Sequence, residues 1–122
     1  MNILIVPPGR TPESVTVPNT LKAMQEIVGG PIEAIYPYED AVALVCHEEG
    51  KLLRLPLNRA VRDPSTGTVI DIISGTFFIC GLGEDDFASL SCEQIAYYSK
   101  LFQNPEIFLQ SGAQLIIFQI EQ

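Results

Sequence analysis

The sequence predicts an α+β fold: a mainly antiparallel sheet with two helices, Thr20–Val28 and Ser91–Phe102. Three observations carry this. Short β-type runs follow one another through turns too short for parallel crossovers. Only those two stretches have apolar residues at helical spacing. The helices fall between runs of strands instead of alternating with them, which separates α+β from α/β.

At 122 residues, 47% hydrophobic and 18% charged, the chain reads as one globular domain, 1–122, able to bury a core without staples. No apolar run reaches the roughly 18–20 residues needed to cross a bilayer. The opening MNILIVPPGR has no basic stretch ahead of its apolar run, so it is read as a buried strand and not as a leader. Cys46, Cys80 and Cys92 are an odd number without CxxC spacing, as expected of reduced thiols in a cytosolic protein.

Asn2–Val6 is a short apolar run closed by Pro7-Pro8-Gly9, and Glu13–Val17 alternates, so the two read as a hairpin. Asn19 or Thr20 caps the first helix. Leu21, Met24, Ile27 and Val28 form its apolar stripe, and Gly29-Gly30-Pro31 ends it. Ile32–Tyr38 alternates and carries Pro37, which suits an edge. Ala41–His47 is nearly continuous apolar and reads as a central strand. Glu48-Glu49-Gly50 reads as a turn returning the chain through an antiparallel strand at Lys51–Leu55, the clearest local hairpin. Pro56–Gly67 is expected to be irregular, with at most a helical turn at Leu57–Val61. Thr68–Ile73 and Gly75–Cys80 read as strands, and Leu82–Leu90 as an acidic loop. Ser91 and Gln94 have capping-box spacing, and Ile95, Tyr98, Leu101 and Phe102 form the second apolar stripe before Pro105. Leu115–Ile120 reads as a final strand, either joining the sheet or pairing with another subunit. An unpaired apolar edge invites a symmetric partner, so a homo-oligomer, most simply a homodimer, is expected.

The net charge is −8. Four of the seven cations, Lys51, Arg54, Arg59 and Arg62, fall within twelve residues, and without those four the remainder carries −12. Such a surface repels nucleic acid and anionic membrane, so neither is expected as a direct partner. An anion would have to meet a local positive site. Arg54, Asn58 and Arg59, with Arg62 at the rim, are the candidates, because guanidinium forks bind phosphate or carboxylate. Pairing of these arginines with surface acids is the competing reading. On the ligand reading, Arg59→Ala should leave stability nearly unchanged. Tyr36, Tyr38 or Phe78 could offer a stacking face for a base, although strand aromatics are usually core.

Other chemistries find little support. His47 is the only histidine, and it lies at a turn without an HxH, HExxH or CxxC pattern around it. No oriented base accompanies the cysteines. The GLG at 81–83 lacks a P-loop lysine and precedes Glu84-Asp85-Asp86, which would repel phosphate. The acidic groups at 39–40, 48–49 and 84–86 lack EF-hand spacing and read as solvated turns. No cofactor and no metal are expected.

Four segments, ILIVPPGRTPE, the run from Leu21 to Asp63, DIISGTFFICG and SLSCEQIAYYSKLF, occur in this order within residues 2–103. On these the chain resembles a family of small uncharacterised proteins, a domain of unknown function, encoded by phages and conjugative elements of Firmicutes. Residues 104–122 lie outside the resemblance. It implies a bacterial host cytoplasm and, by the habit of such elements, a counter-defence role. Two functions fit that setting. The first is a non-enzymatic sponge that sequesters a small anionic, nucleotide-type signal such as a cyclic nucleotide or cyclic ADP-ribose derivative. The second is an acidic interaction protein that inhibits a host defence enzyme, as a DNA mimic could. A small enzyme ranks third.

Overall fold

A computed structural model describes residues 1–121. The elements are β1 (Asn2–Val6), β2 (Glu13–Thr16), α1 (Leu21–Val28), β3 (Ile32–Ile35), β4 (Val42–His47), β5 (Leu57–Arg62), β6 (Val69–Ser74), β7 (Phe77–Leu82), β8 (Phe87–Ala88), α2 (Cys92–Leu101), β9 (Glu106–Ser111) and β10 (Gln114–Gln119). Every strand pair is antiparallel, so the fold is α+β.

The main sheet has the order β2-β1-β7-β4-β3, with β8 beside β7. Side chains alternate across it and feed two cores. Leu4, Val6, Val42, Leu44, Phe77 and Ile79 point to one face, where Val61 and Ile73 of the β5–β6 hairpin and Tyr98 and Phe102 of the α2 region cover them. Ile3, Ala43, Val45, Phe78 and Cys80 point to the other, under Met24 and Val28 of α1. β4 is buried at every residue, which explains its unbroken apolar run. β3 is the edge strand its proline suggested.

Both helices start where capping chemistry placed them. The Thr20 hydroxyl accepts from the Ala23 N–H, and Gly29 ends α1 at φ 86° in the left-handed region. Ser91 and Gln94 satisfy each other's backbone N–H groups at the start of α2. Within the two stripes, Met24, Val28, Tyr98 and Phe102 are buried, whereas Leu21 and Leu101 are exposed.

Two expectations fail. Lys51–Leu55 is not a strand and forms no hairpin with Ala41–His47. The flanks of β4 are taken by β3 and β7, so no edge remains for it. Instead the chain coils, with Leu53 N–H donating to the Glu49 carbonyl and Leu55 N–H to the Gly50 carbonyl. Arg54 sits at φ 55°. Pro56–Gly67 is not irregular: it contains β5, paired with β6 through two register shifts. The final strand expected at Leu115–Ile120 does form, as β10, but outside the main sheet. β10 pairs with β9 across a turn at Gly112, whose φ is 61°.

Candidate functional site

Of the four expected site residues, Arg59 and Arg62 line one hollow, whereas Arg54 and Asn58 do not. Arg54 is exposed on the turn after β4. Asn58 and Arg59 point inward from β5, at 0% and 1% exposure. Asn58 Nδ2 donates to the carbonyls of Val6 (2.7 Å) and Gly75 (2.9 Å). The Arg59 guanidinium donates through Nε and Nη2 to the Phe102 carbonyl at the end of α2 (3.2 and 3.0 Å). Its Nη2 also reaches the Arg10 carbonyl (2.6 Å), and its Nη1 reaches Asn58 Oδ1 (2.8 Å). A cation at a helix C-terminus meets the negative end of the helix dipole. Burial lowers the Arg59 pKa, and the Glu106 carboxylate opposes that shift. These donors are engaged by the protein's own groups, so Asn58 and Arg59 hold β5 against β1, the β6–β7 turn and the end of α2.

Glu106 completes the strip. One carboxylate oxygen accepts from the Ala60 N–H (2.7 Å), and the other pairs with Arg62 Nη2 (2.9 Å). No buried side-chain polar atom lacks a partner among the described residues. Arg62 keeps about a third of its side chain exposed, and no other hydrogen bond of its guanidinium is found among the described residues.

Arg62 lies on a groove between α2, the β3–β4 loop and the β5–β6 turn. Two adjoining hollows of about 490 and 260 Å³ share Tyr38, Asp63, Pro64 and Tyr97. Tyr98 and Asp40 line the first, Arg62 and Leu101 the second. The rings of Tyr38 and Tyr97 flank that of Tyr98, with centroids 5.3 and 4.9 Å from it. Tyr97 is 54% exposed, so part of its side chain is accessible from the groove. The acids nearby are partly committed: Asp40 accepts from Gln94 Nε2, the Tyr98 hydroxyl and the Ala41 N–H, and Asp63 from Ser65. Those bonds from Ser65 also hold the Asp63 carboxyl below its usual range. Burial raises the Tyr38 and Tyr98 phenols, the latter helped by the Asp40 hydrogen bond, so both remain hydroxyl donors. Of the aromatics considered from sequence, Tyr38 lies at this groove, Tyr36 is exposed elsewhere and Phe78 is core. Tyr97 was overlooked because it falls outside the apolar stripe of its helix, which is why its ring is available.

The remaining chemistry is sparse. His47 is buried and not exposed at a turn: it packs on Gly30, and its Nδ1 accepts from the Glu49 N–H (2.9 Å). Burial pushes the Cys46 and Cys80 thiols up to about 11 and 12, which leaves them protonated and poorly nucleophilic at neutral pH. No cluster of three metal-ligating side chains occurs among the described residues. A further hollow beside β4 is lined by Glu33, His47 and Glu49 together with the Lys51–Asp71 ion pair, and neither tyrosine nor phenylalanine lines it.

Such a molecule belongs to the class of small antiparallel α+β proteins with an aromatic surface groove. More narrowly, the chain belongs to the family described as Domain of unknown function (DUF3846), whose profile matches residues 1–103. No curated protein and no solved structure matches it. None of the described helices is long and apolar enough to cross a membrane.

Proposed function

We propose that this protein is a non-enzymatic binding protein that sequesters a small nucleotide-type ligand in the tyrosine groove. The observation that supports it is the placement of an exposed tyrosine, Tyr97, and a part-exposed guanidinium, Arg62, on two adjoining hollows. A base or other planar ring stacks on Tyr97 and Tyr38, and a phosphate meets the free edge of Arg62. Asp40 and Asp63 penalise extra negative charge, so the ligand of choice carries one phosphate or a cyclic phosphodiester and not a polyphosphate. The work of the site is retention. In a phage or mobile element resident in a bacterial cytoplasm, removing such a signal would blunt a host defence response.

Calorimetric titration with nucleoside monophosphates, cyclic mono- and dinucleotides and ADP-ribose derivatives tests this. Tyr97→Ala should weaken binding about tenfold or more, since stacking of a base contributes about 1–3 kcal/mol. Arg62→Ala should weaken it about ten- to a hundredfold, from a charge-assisted bond of about 1.5–3 kcal/mol. Tyr97 is exposed, so its variant stays folded. No binding across the panel, or binding indifferent to both changes, overturns the proposal. The acidic loop Glu84-Asp85-Asp86, exposed at all three residues, supports the second reading in that event: an interaction protein that presents negative charge to a host enzyme, as a DNA mimic would.

A further inference from the structure

We infer that the β9–β10 hairpin is a self-association arm, through which two copies of the chain pack face to face about a two-fold axis. The register sets its two faces. Ile107 stands opposite Phe118 and Leu109 opposite Ile116, so these four share one face. Phe108 stands opposite Ile117 on the other. Phe108 and Ile117 are half-buried, whereas Ile107, Leu109, Ile116 and Phe118 are 39–51% exposed. A two-stranded hairpin is at best marginal in water, and one that is apolar on both faces needs a cover on each. The hairpin touches the rest of the chain chiefly along β5, from its base at Glu106.

Charge selects the occupant. The molecule carries −8, yet no ionisable side chain occurs from Ile107 to Ile120. Two acidic copies repel over most approaches, and this neutral arm is where contact costs least. A strongly charged partner would bury its own charges unpaired against it, whereas a second copy of the same face presents only aliphatic and aromatic side chains. Two such hairpins stack at the ordinary sheet spacing of about 10 Å. The four residues offer an apolar patch on the order of 400 Å², about half of what a standard interface takes from each partner. Exposed Leu57, which lines a shallow hollow with Ile107 and Phe108, and exposed Ile120 at the base extend it. An interface of that size belongs at the weak end of specific dimers. The arm lies beyond the family-matched residues 1–103, and Gln119 at its base also lines the second hollow of the groove.

Sedimentation velocity of the full chain from about 1 to 200 μM tests this. The wild type should pass from monomer to dimer across that range. Ile116→Lys with Phe118→Lys should remain monomeric throughout, with unchanged circular dichroism and thermal midpoint of the body. Leu109→Lys, alone on the facing strand, should weaken the dimer at least tenfold and serves if the double variant misfolds. A wild type monomeric at 200 μM overturns the inference, and if hydrogen exchange of Ile107–Phe118 then slows only when another protein is added, the arm has a different occupant. A dimer that survives both variants also overturns it, by placing the interface elsewhere.

Discussion

Arg59 carries a charge inside a strand, and three named acceptors and one carboxylate charge close around it. The Phe102 and Arg10 carbonyls and Asn58 Oδ1 take its donors, and Glu106 supplies the neighbouring negative charge. Truncation would leave those buried acceptors unpaired. Arg59→Ala should therefore cost a few kcal/mol of stability, read as a lowered urea midpoint, since each buried acceptor left unpaired costs about 1–3 kcal/mol. Arg59→Lys should recover only part of this, because one ammonium cannot serve carbonyls on several sides. That is the reverse of the stability expected if Arg59 faced a ligand. Clustering of Arg54, Arg59 and Arg62 was legible in the sequence. Its meaning was not, because the acceptors are backbone carbonyls at positions 10 and 102, and a carbonyl leaves no mark on residue identity. Tyr98 was legible as core from helical spacing, and Tyr97 could have been found by asking which aromatic falls off the stripe.

At the scale of elements, β4 was readable because a strand buried on both faces needs an unbroken apolar run. β5 was not. Asn58, Arg59 and Arg62 interrupt its hydrophobicity, and only the hydrogen bonds described above make those polar residues tolerable in a strand. Conversely, Lys51–Leu55 imitated a strand by composition, and the crowding of β4 by two partners decided against it. β9 went unrecognised because six residues after Pro105 carry no period strong enough to separate strand from loop. Gly81 in β7 offers a test at this scale. A Cβ there would stand 2.5 Å from the Ser89 carbonyl oxygen, a backbone atom that cannot swing aside. Gly81→Ala should cost about 1–3 kcal/mol, read as a lowered urea midpoint with an unchanged slope.

Over the whole molecule, buried thiols and phenols make stability fall in base. The unfolded chain releases cysteine protons near pH 9, whereas the folded chain holds those of Cys46 and Cys80 to about 11 and 12. Burial also raises Tyr38 and Tyr98 from 10. Folded pKa values above unfolded ones give a contribution fully present below pH 9 and lost as pH rises through 11. The urea midpoint should stay level up to about pH 9 and then decline. Cys46→Ala with Cys80→Ala should flatten that decline; a midpoint independent of pH up to 11 would contradict it.

The Arg59 clasp joins parts of the chain 49 and 43 residues away on either side. During synthesis, β5 leaves the ribosome long before Phe102 does. Until then the guanidinium has no helix end to hold, and the layer over the sheet cannot shut. Closure therefore waits for nearly all of the family-matched part, and a nascent chain stopped before Phe102 should be protease-sensitive however well its first strands are paired. Contacts of such long range also slow folding, so this small domain should assemble late and in a single step.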